Sequence, residues 1–283
     1  MMKKIIDISE HNGKVNLKLA SDLIDGIVCR CSWGWGENQI DLRWHENAQQ
    51  AVDLKIPLFA YHFCYARNIN EAIAEAKIAI KACKSYKVNV LYYDIEYSEF
   101  QGELSTHKYY DIAKAFCDLV ESSGIPVGIY ANENYFRNKL VNKGFSAWTI
   151  WLAHYGSNNG YNNWSDNIEY NPFGNVLLHQ FTSNAKKGVL KNIKGIPSDG
   201  LDCSADHGLL KTFAKEILSN NYSIDKTKKV KVKSNSTWYD NKTIPSFVYQ
   251  NEYDVIEEIE DRVVIGIGDK VTGAIKKSNL YYL

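Results

Sequence analysis

The sequence has no excess charge of either sign: 33 lysines and arginines stand against 33 aspartates and glutamates in 283 residues. Nucleic-acid binders usually show a basic excess, so the balance argues against that class. No stretch approaches the ~20 apolar residues of a membrane span, which argues against membrane insertion. The start, Met-Met-Lys-Lys-Ile-Ile-Asp, puts an aspartate after two isoleucines, whereas a secretory signal needs roughly 7–15 apolar residues there. A soluble cytosolic product without a signal peptide is therefore expected. The six cysteines (Cys29, Cys31, Cys64, Cys83, Cys117 and Cys203) contain no Cys-x-x-Cys pair. Buried free thiols are expected, and neither a zinc site nor a cofactor is. There is no internal repeat.

What the chain does have, over its first 210 or so residues, is alternation. Short apolar, β-branched runs ("KKIIDIS", "GIVCRCS", "IPLFAYHF", "VNVLYYDIEY", "IPVGIYA", "TIWLAHY", "NVLLHQFT") are separated by segments of helical period. In "STHKYYDIAKAFCDLVESSG", Tyr109, Ile112, Phe116, Leu119 and Val120 recur at spacings of three and four. Ser105 is placed to cap that helix and Gly124 to stop it. Strands alternating with helices imply parallel βαβ units. Seven or so such strands predict an α/β fold, an irregular (β/α) barrel of TIM-like type, over 1–215. A polar, lysine-rich linker is expected at 216–228. Residues 229–283 then show only strand-length runs, which suits a small all-β, SH3-like barrel.

The run "VNVLYYDIEYSEF" ends in two acids, Asp94 and Glu96. Residues i and i+2 of a strand share a face, about 6.5 Å apart along the backbone. In a parallel barrel the C-terminal strand ends carry the active site. Two carboxylates held close together raise at least one pKa, so one acid can keep a proton at neutral pH while its partner stays ionised. Glycoside hydrolysis uses that division: an acid for the leaving oxygen and an anion for the oxocarbenium-like centre. The same pair could instead ligate a hard divalent metal or serve a purely structural role, and the spacing alone leaves the three open.

Seven segments in order resemble glycoside hydrolase family 25, the lysozymes that cut peptidoglycan as muramidases. They are "DISEHNG" (Asp7 to Gly13), "FAYHF" (Phe59 to Phe63), "YDIEY", "GIYAN" (Gly128 to Asn132), "WLAHY" (Trp151 to Tyr155), "HQF" (His179 to Phe181) and "GLDCS" (Gly200 to Ser204). The resemblance spans roughly residues 3 to 213 and implies an irregular, flattened β/α barrel without cofactor or metal. It makes Glu96 the general acid and then base. Asp94 would stabilise positive charge or orient the substrate's N-acetyl group, on a retaining, substrate-assisted path. Asp7 and Asp202 would complete the acidic cluster. Tyr61, His62, Phe63, Tyr130, Trp151 and Gln180 would shape the sugar subsites.

The chain departs from the family pattern in two places. Asn16 in "VNL" stands where Asp-Trp or Asp-Phe is usual. The loop "WGWGEN" adds Trp33 and Trp35, which could enlarge the aromatic wall. The tail "DKVTGAIKKSNLYYL" resembles the end of a bacterial SH3 domain, a wall-holding module in lytic enzymes, with Trp238, Tyr239, Tyr249 and Tyr253 as contact candidates. Together these resemblances imply a peptidoglycan hydrolase of the phage endolysin type. Such an enzyme waits in the host cytoplasm until the membrane is breached and then acts on the bacterial wall. An autolysin and a non-catalytic wall-binding protein are the alternatives.

Overall fold

The apolar, β-branched runs do pair as strands. The computed structural model describes residues 2–161, 169–214, 229–239, 241–259, 261–267 and 270–283. Contacts divide the chain into two units, Met1–Lys215 and Glu216–Leu283. The expected linker at 216–228 lies outside the described residues.

In the first unit β1 (Lys4–Ile8), β2 (Gly26–Trp33), β3 (Leu58–Phe63), β4 (Leu91–Asp94), β5 (Val127–Asn132), β6 (Thr149–Ala153), β7 (Val176–Thr182) and β8 (Asp202–Asp206) form a closed barrel in sequence order. Pairing is parallel from β1 to β7, but β8 runs antiparallel to both β7 and β1. The barrel is thus irregular in a specific way. Its last strand starts, rather than ends, at the mouth formed by the C-terminal ends of the others. The helices around it are uneven: α1 (Leu17–Ala20), α2 (Trp44–Asp53), α3 (Ile69–Cys83), α4 (Ser98–Gln101), α5 (Thr106–Ser122) and α6 (Glu133–Asn138).

The longer helices follow from local chemistry. The Asn68 side chain caps α3 by accepting from the Glu71 amide at 3.0 Å. Ala72, Ala76, Ala79 and Ala82 line its buried face, and such small side chains let a helix approach its neighbours closely. Ser105 caps α5, and its buried face is Tyr109, Ile112, Ala113, Phe116, Cys117 and Val120. Leu119, expected on that face, sits half-buried at its edge. Gly124 follows the end of α5 with φ +84°, a left-handed conformation that glycine adopts without penalty. All six cysteines are buried free thiols.

Between barrel and helices lies a buried polar hub. Glu75 of α3, fully buried, accepts from the Tyr93 hydroxyl at 2.6 Å and the Tyr65 amide at 2.7 Å. Tyr93 stacks flat on Phe116, centroids 3.8 Å apart. Inside the barrel, Gly128 leaves room for the Tyr92 ring: a Cβ there would stand 2.5 Å from it.

The second unit is an antiparallel sheet in the order β12-β11-β10-β9-β13. Its strands are β9 (Lys229–Val232), β10 (Glu252–Ile259), β11 (Arg262–Ile267), β12 (Lys270–Lys276) and β13 (Leu280–Tyr282). It has its own core, built from Val230, Val232, Ile244, Val248, Tyr253, Val255, Val263, Ile265, Ile275 and Leu280. Tyr253 is therefore a core residue, Trp238 and Tyr249 pack partly against that core, and Tyr239 is exposed. No described helix is long and apolar enough to cross a membrane.

Candidate active site

The four acids of interest come from separate strands and meet at one end of the barrel. Asp94 is the last residue of β4 and Glu96 follows it by two. Asp7 lies near the end of β1. Asp202 opens β8, and because that strand is antiparallel its first residue pairs directly with Asp7. All four line a cavity of about 590 Å³. Tyr61, Phe63, Tyr130, Trp151, Gln180 and Trp33 line it as well.

His62 does not. Strand alternation turns it away from Tyr61 and Phe63, into the layer between barrel and helices. There it is fully buried, with Nδ1 2.8 Å from the Ser32 hydroxyl and Nε2 3.6 Å from Glu75. The sequence expectation that placed it beside the sugar is corrected: it supports β3 from behind.

The floor of the cavity is aromatic and tightly held. Trp151 is almost fully buried, donates its indole N–H to Ser204 Oγ at 3.0 Å, and packs on Tyr130 with centroids 4.4 Å apart. Gln180 acts as the organiser. Its Oε1 accepts from the hydroxyls of Tyr130 (2.8 Å) and Tyr155 (2.6 Å), while its Nε2 donates to Asp7 Oδ2 at 3.0 Å.

Crowding four acids into a half-dry cavity pushes their pKa values up. Burial raises Asp7 well above the usual carboxylate range, with Asp202 adding to it. The two side chains share a hydrogen bond that raises Asp7 and lowers Asp202. Asp202 is raised only to about 6, chiefly by burial. Glu96 is raised to about 7, first by burial and then by the charge of Asp202, with the Tyr130 hydroxyl pulling it back. Asp94 is raised well above its usual value by burial, Glu96 and Asp7, against a lowering pull from Arg30. Its Oδ1 is buried and has no hydrogen-bond partner.

The charge of Asp202, from across the barrel closure, thus helps Glu96 keep its proton, and Asp94 and Glu96 resist being charged together.

Several lining residues were given no role from the sequence: Ser9, Glu10, His11, Asn12, Arg30, Tyr65 and Tyr97. Arg30 carried a signal, a lone cation inside the apolar strand "GIVCRCSW". Its Nε binds Asp41 at 2.8 Å, Nη2 binds Glu10 at 2.8 Å, and Nη1 lies 3.3 Å from His11 Nε2. It thereby ties the turn after β1 to the cavity rim. Among the described residues no group of three or more histidines, cysteines or acids is arranged to hold a metal ion.

Comparison with known proteins gives consistent results. The family model "Glycosyl hydrolases family 25" matches residues 6–189. Among solved structures, the modular autolysin LytC of Streptococcus pneumoniae, in complex with a synthetic peptidoglycan ligand, is 25% identical at TM-score 0.58. The match covers 72% of this chain and 46% of that one, so this chain spans less than half of its length. The catalytic domain of endolysin ply40 from bacteriophage P40 of Listeria monocytogenes shares the fold at 22% identity and TM-score 0.59, covering 75% of this chain and 97% of that one. The spore cortex lytic enzyme SleM of Clostridium perfringens shares it at 16% identity and TM-score 0.62, covering 100% of this chain and 86% of that one. Comparison with curated proteins gave no match.

Proposed function

The chain belongs to glycosyl hydrolase family 25, and from that premise we propose that it is an N-acetylmuramidase. It cleaves the β-1,4 bond between N-acetylmuramic acid and N-acetylglucosamine in bacterial peptidoglycan. The observation that carries the reading is the convergence of Glu96, Asp94, Asp7 and Asp202 on one aromatic-lined cavity, where burial and the charge of Asp202 raise Glu96 to about 7. An acid of that strength holds its proton near neutral pH and can still release it to a leaving oxygen.

Glu96 gives its proton to the glycosidic oxygen as the C1–O bond breaks. The carbonyl oxygen of the substrate's own 2-acetamido group bonds to C1 from the opposite face and forms an oxazolinium ion. Asp94, through its unpartnered Oδ1, accepts the acetamido N–H and holds that group in place. The charge of Asp202 favours the positive centre. Glu96, now a carboxylate, takes a proton from water as the water oxygen attacks C1 and the C1–O bond of the oxazolinium breaks, which returns the electron pair to the 2-acetamido group and restores the enzyme with retained configuration at C1.

The second unit is read as an SH3-like wall-binding module. Among the described residues Tyr239, Phe247, Tyr281 and Tyr282 are its exposed aromatics. A tethered binding site raises the local concentration of enzyme on the wall without new catalytic contacts. The cellular role we assign is that of a phage endolysin, retained in the host cytoplasm until release.

Digestion of purified peptidoglycan, borohydride reduction and mass analysis test the reading. Reduced N-acetylmuramic acid at new chain ends is expected. Reduced N-acetylglucosamine, free peptides or intact wall would each overturn it.

A further inference from the structure

The aromatic lining of the cavity does not stop at its rim. Tyr65 and Tyr97 face the cavity, with centroids 5.2 Å apart. Phe100, in the short helix α4, stands 4.9 Å from Tyr65 and lies parallel to Tyr97 at 6.1 Å. Trp35, in the loop after β2, stands 5.8 Å from Phe100. Neither Phe100 nor Trp35 lines the cavity, and Phe100 is 42% exposed.

These outer rings are braced. The Arg67 guanidinium lies 5.4 Å over the Trp35 ring and 5.3 Å over the Phe100 ring. Glu71 holds the guanidinium in turn, with Nη2 at 3.1 Å from Oε1. A cation–π clamp fixed by an ion pair spends interactions on holding the exposed Phe100 ring and the half-buried Trp35 ring still. Contiguous exposed apolar surface marks a binding site more often than chance placement, and rings ordered in advance lose less entropy when a ligand arrives.

We infer that Trp35 and Phe100, clamped by Arg67, form an outer saccharide-binding shelf that continues the cavity and takes at least one further pyranose of the glycan strand. The inference rests on the cavity being a glycan site. The ligand class follows from shape and continuity: flat C–H faces of a pyranose pack on aromatic faces while the hydroxyls stay wet. The shelf joins the cavity through Tyr65 and Tyr97, so one strand can cover both. Its function is to make the enzyme prefer long strands over short fragments. The loop "WGWGEN" after β2 supplies Trp35.

The test uses the full chain and glycan strands stripped of stem peptides, graded from tetrasaccharide to long polymer. For the parent, kcat/KM rises with strand length beyond the tetrasaccharide. In Trp35→Ala and in Phe100→Ala the long-to-short ratio falls about fivefold to tenfold, the scale expected for losing one aromatic face. Arg67→Gln, which keeps both rings but removes the clamp, lowers it by a smaller factor. Equal losses on long and short strands, no change in the ratio, or a loss seen only when stem peptides are present would overturn the shelf. If the parent cleaves none of these strands, the muramidase reading fails separately. Equilibrium binding of the same strands then decides the shelf: length-dependent affinity in the parent that Trp35→Ala abolishes supports it, and affinity independent of length overturns it.

Discussion

Replacing Glu96 with glutamine should stabilise the protein above neutral pH, because the parent holds a carboxyl where burial and the Asp202 charge resist its ionisation. The unfolded chain releases this proton near 4.5 and the folded chain near 7. Between those values the native state binds more protons than the unfolded one, so the parent loses stability as pH rises through the window. At about 1.4 kcal/mol per pKa unit the full loss is about 3 kcal/mol, and solvent at the cavity mouth reduces it to about 2 kcal/mol. Glutamine has no proton to lose. The gap between variant and parent should be close to zero at pH 4 and open to about 2 kcal/mol in the variant's favour at pH 8. Urea unfolding of both proteins at pH 4, 5, 6, 7 and 8, following the transition of the barrel unit, measures it. A gap that does not widen with pH, or a variant less stable than the parent at pH 8, would refute the electrostatic reasoning.

Three more outcomes follow from the same structure. The rate of wall cleavage should fall as pH rises past about 7, where Glu96 loses its proton, and a steady-state pH profile of kcat/KM reads that limb directly. Glu75→Ala should cost about 2–4 kcal/mol in urea unfolding, since it strands the Tyr93 hydroxyl and the Tyr65 amide without acceptors. Gly128→Ala should cost about 1–3 kcal/mol, because the new methyl meets the Tyr92 ring inside a packed barrel, and thermal melting would show the loss.

Much of the barrel was legible because its signals are local. The apolar runs had strand length, the α5 segment had helical period, and Ser105 and Gly124 marked that helix's ends. The direction of β8 was not legible. Its residues, Asp-Cys-Ser-Ala-Asp, lack the apolar, β-branched character of the other runs, and only closure of the barrel makes them a strand and sets it antiparallel between β7 and β1. The same closure brings Asp202 to Asp7, a pairing between positions almost two hundred residues apart that no local spacing encodes. This is why the sequence offered only Asp94 as a charged neighbour of Glu96, and why Asp202 joins it only in the fold. His62 shows the reverse. Its exclusion follows from the two-residue alternation of β3, since Tyr61 and Phe63 on one face place it on the other. Arg30 was visible as a charge in an apolar strand, but its partners Glu10 and Asp41 come from separate turns and needed the fold to be seen.

Cleavage turns on the proton that Glu96 holds and transfers. Peptidoglycan cleavage by Glu96→Gln, measured at pH 6 beside the parent with folding checked by circular dichroism, tests it most directly. A fall of about 10²–10⁴-fold, the usual contribution of a positioned general acid, is predicted. A folded variant that cuts the wall at the parent's rate would contradict it.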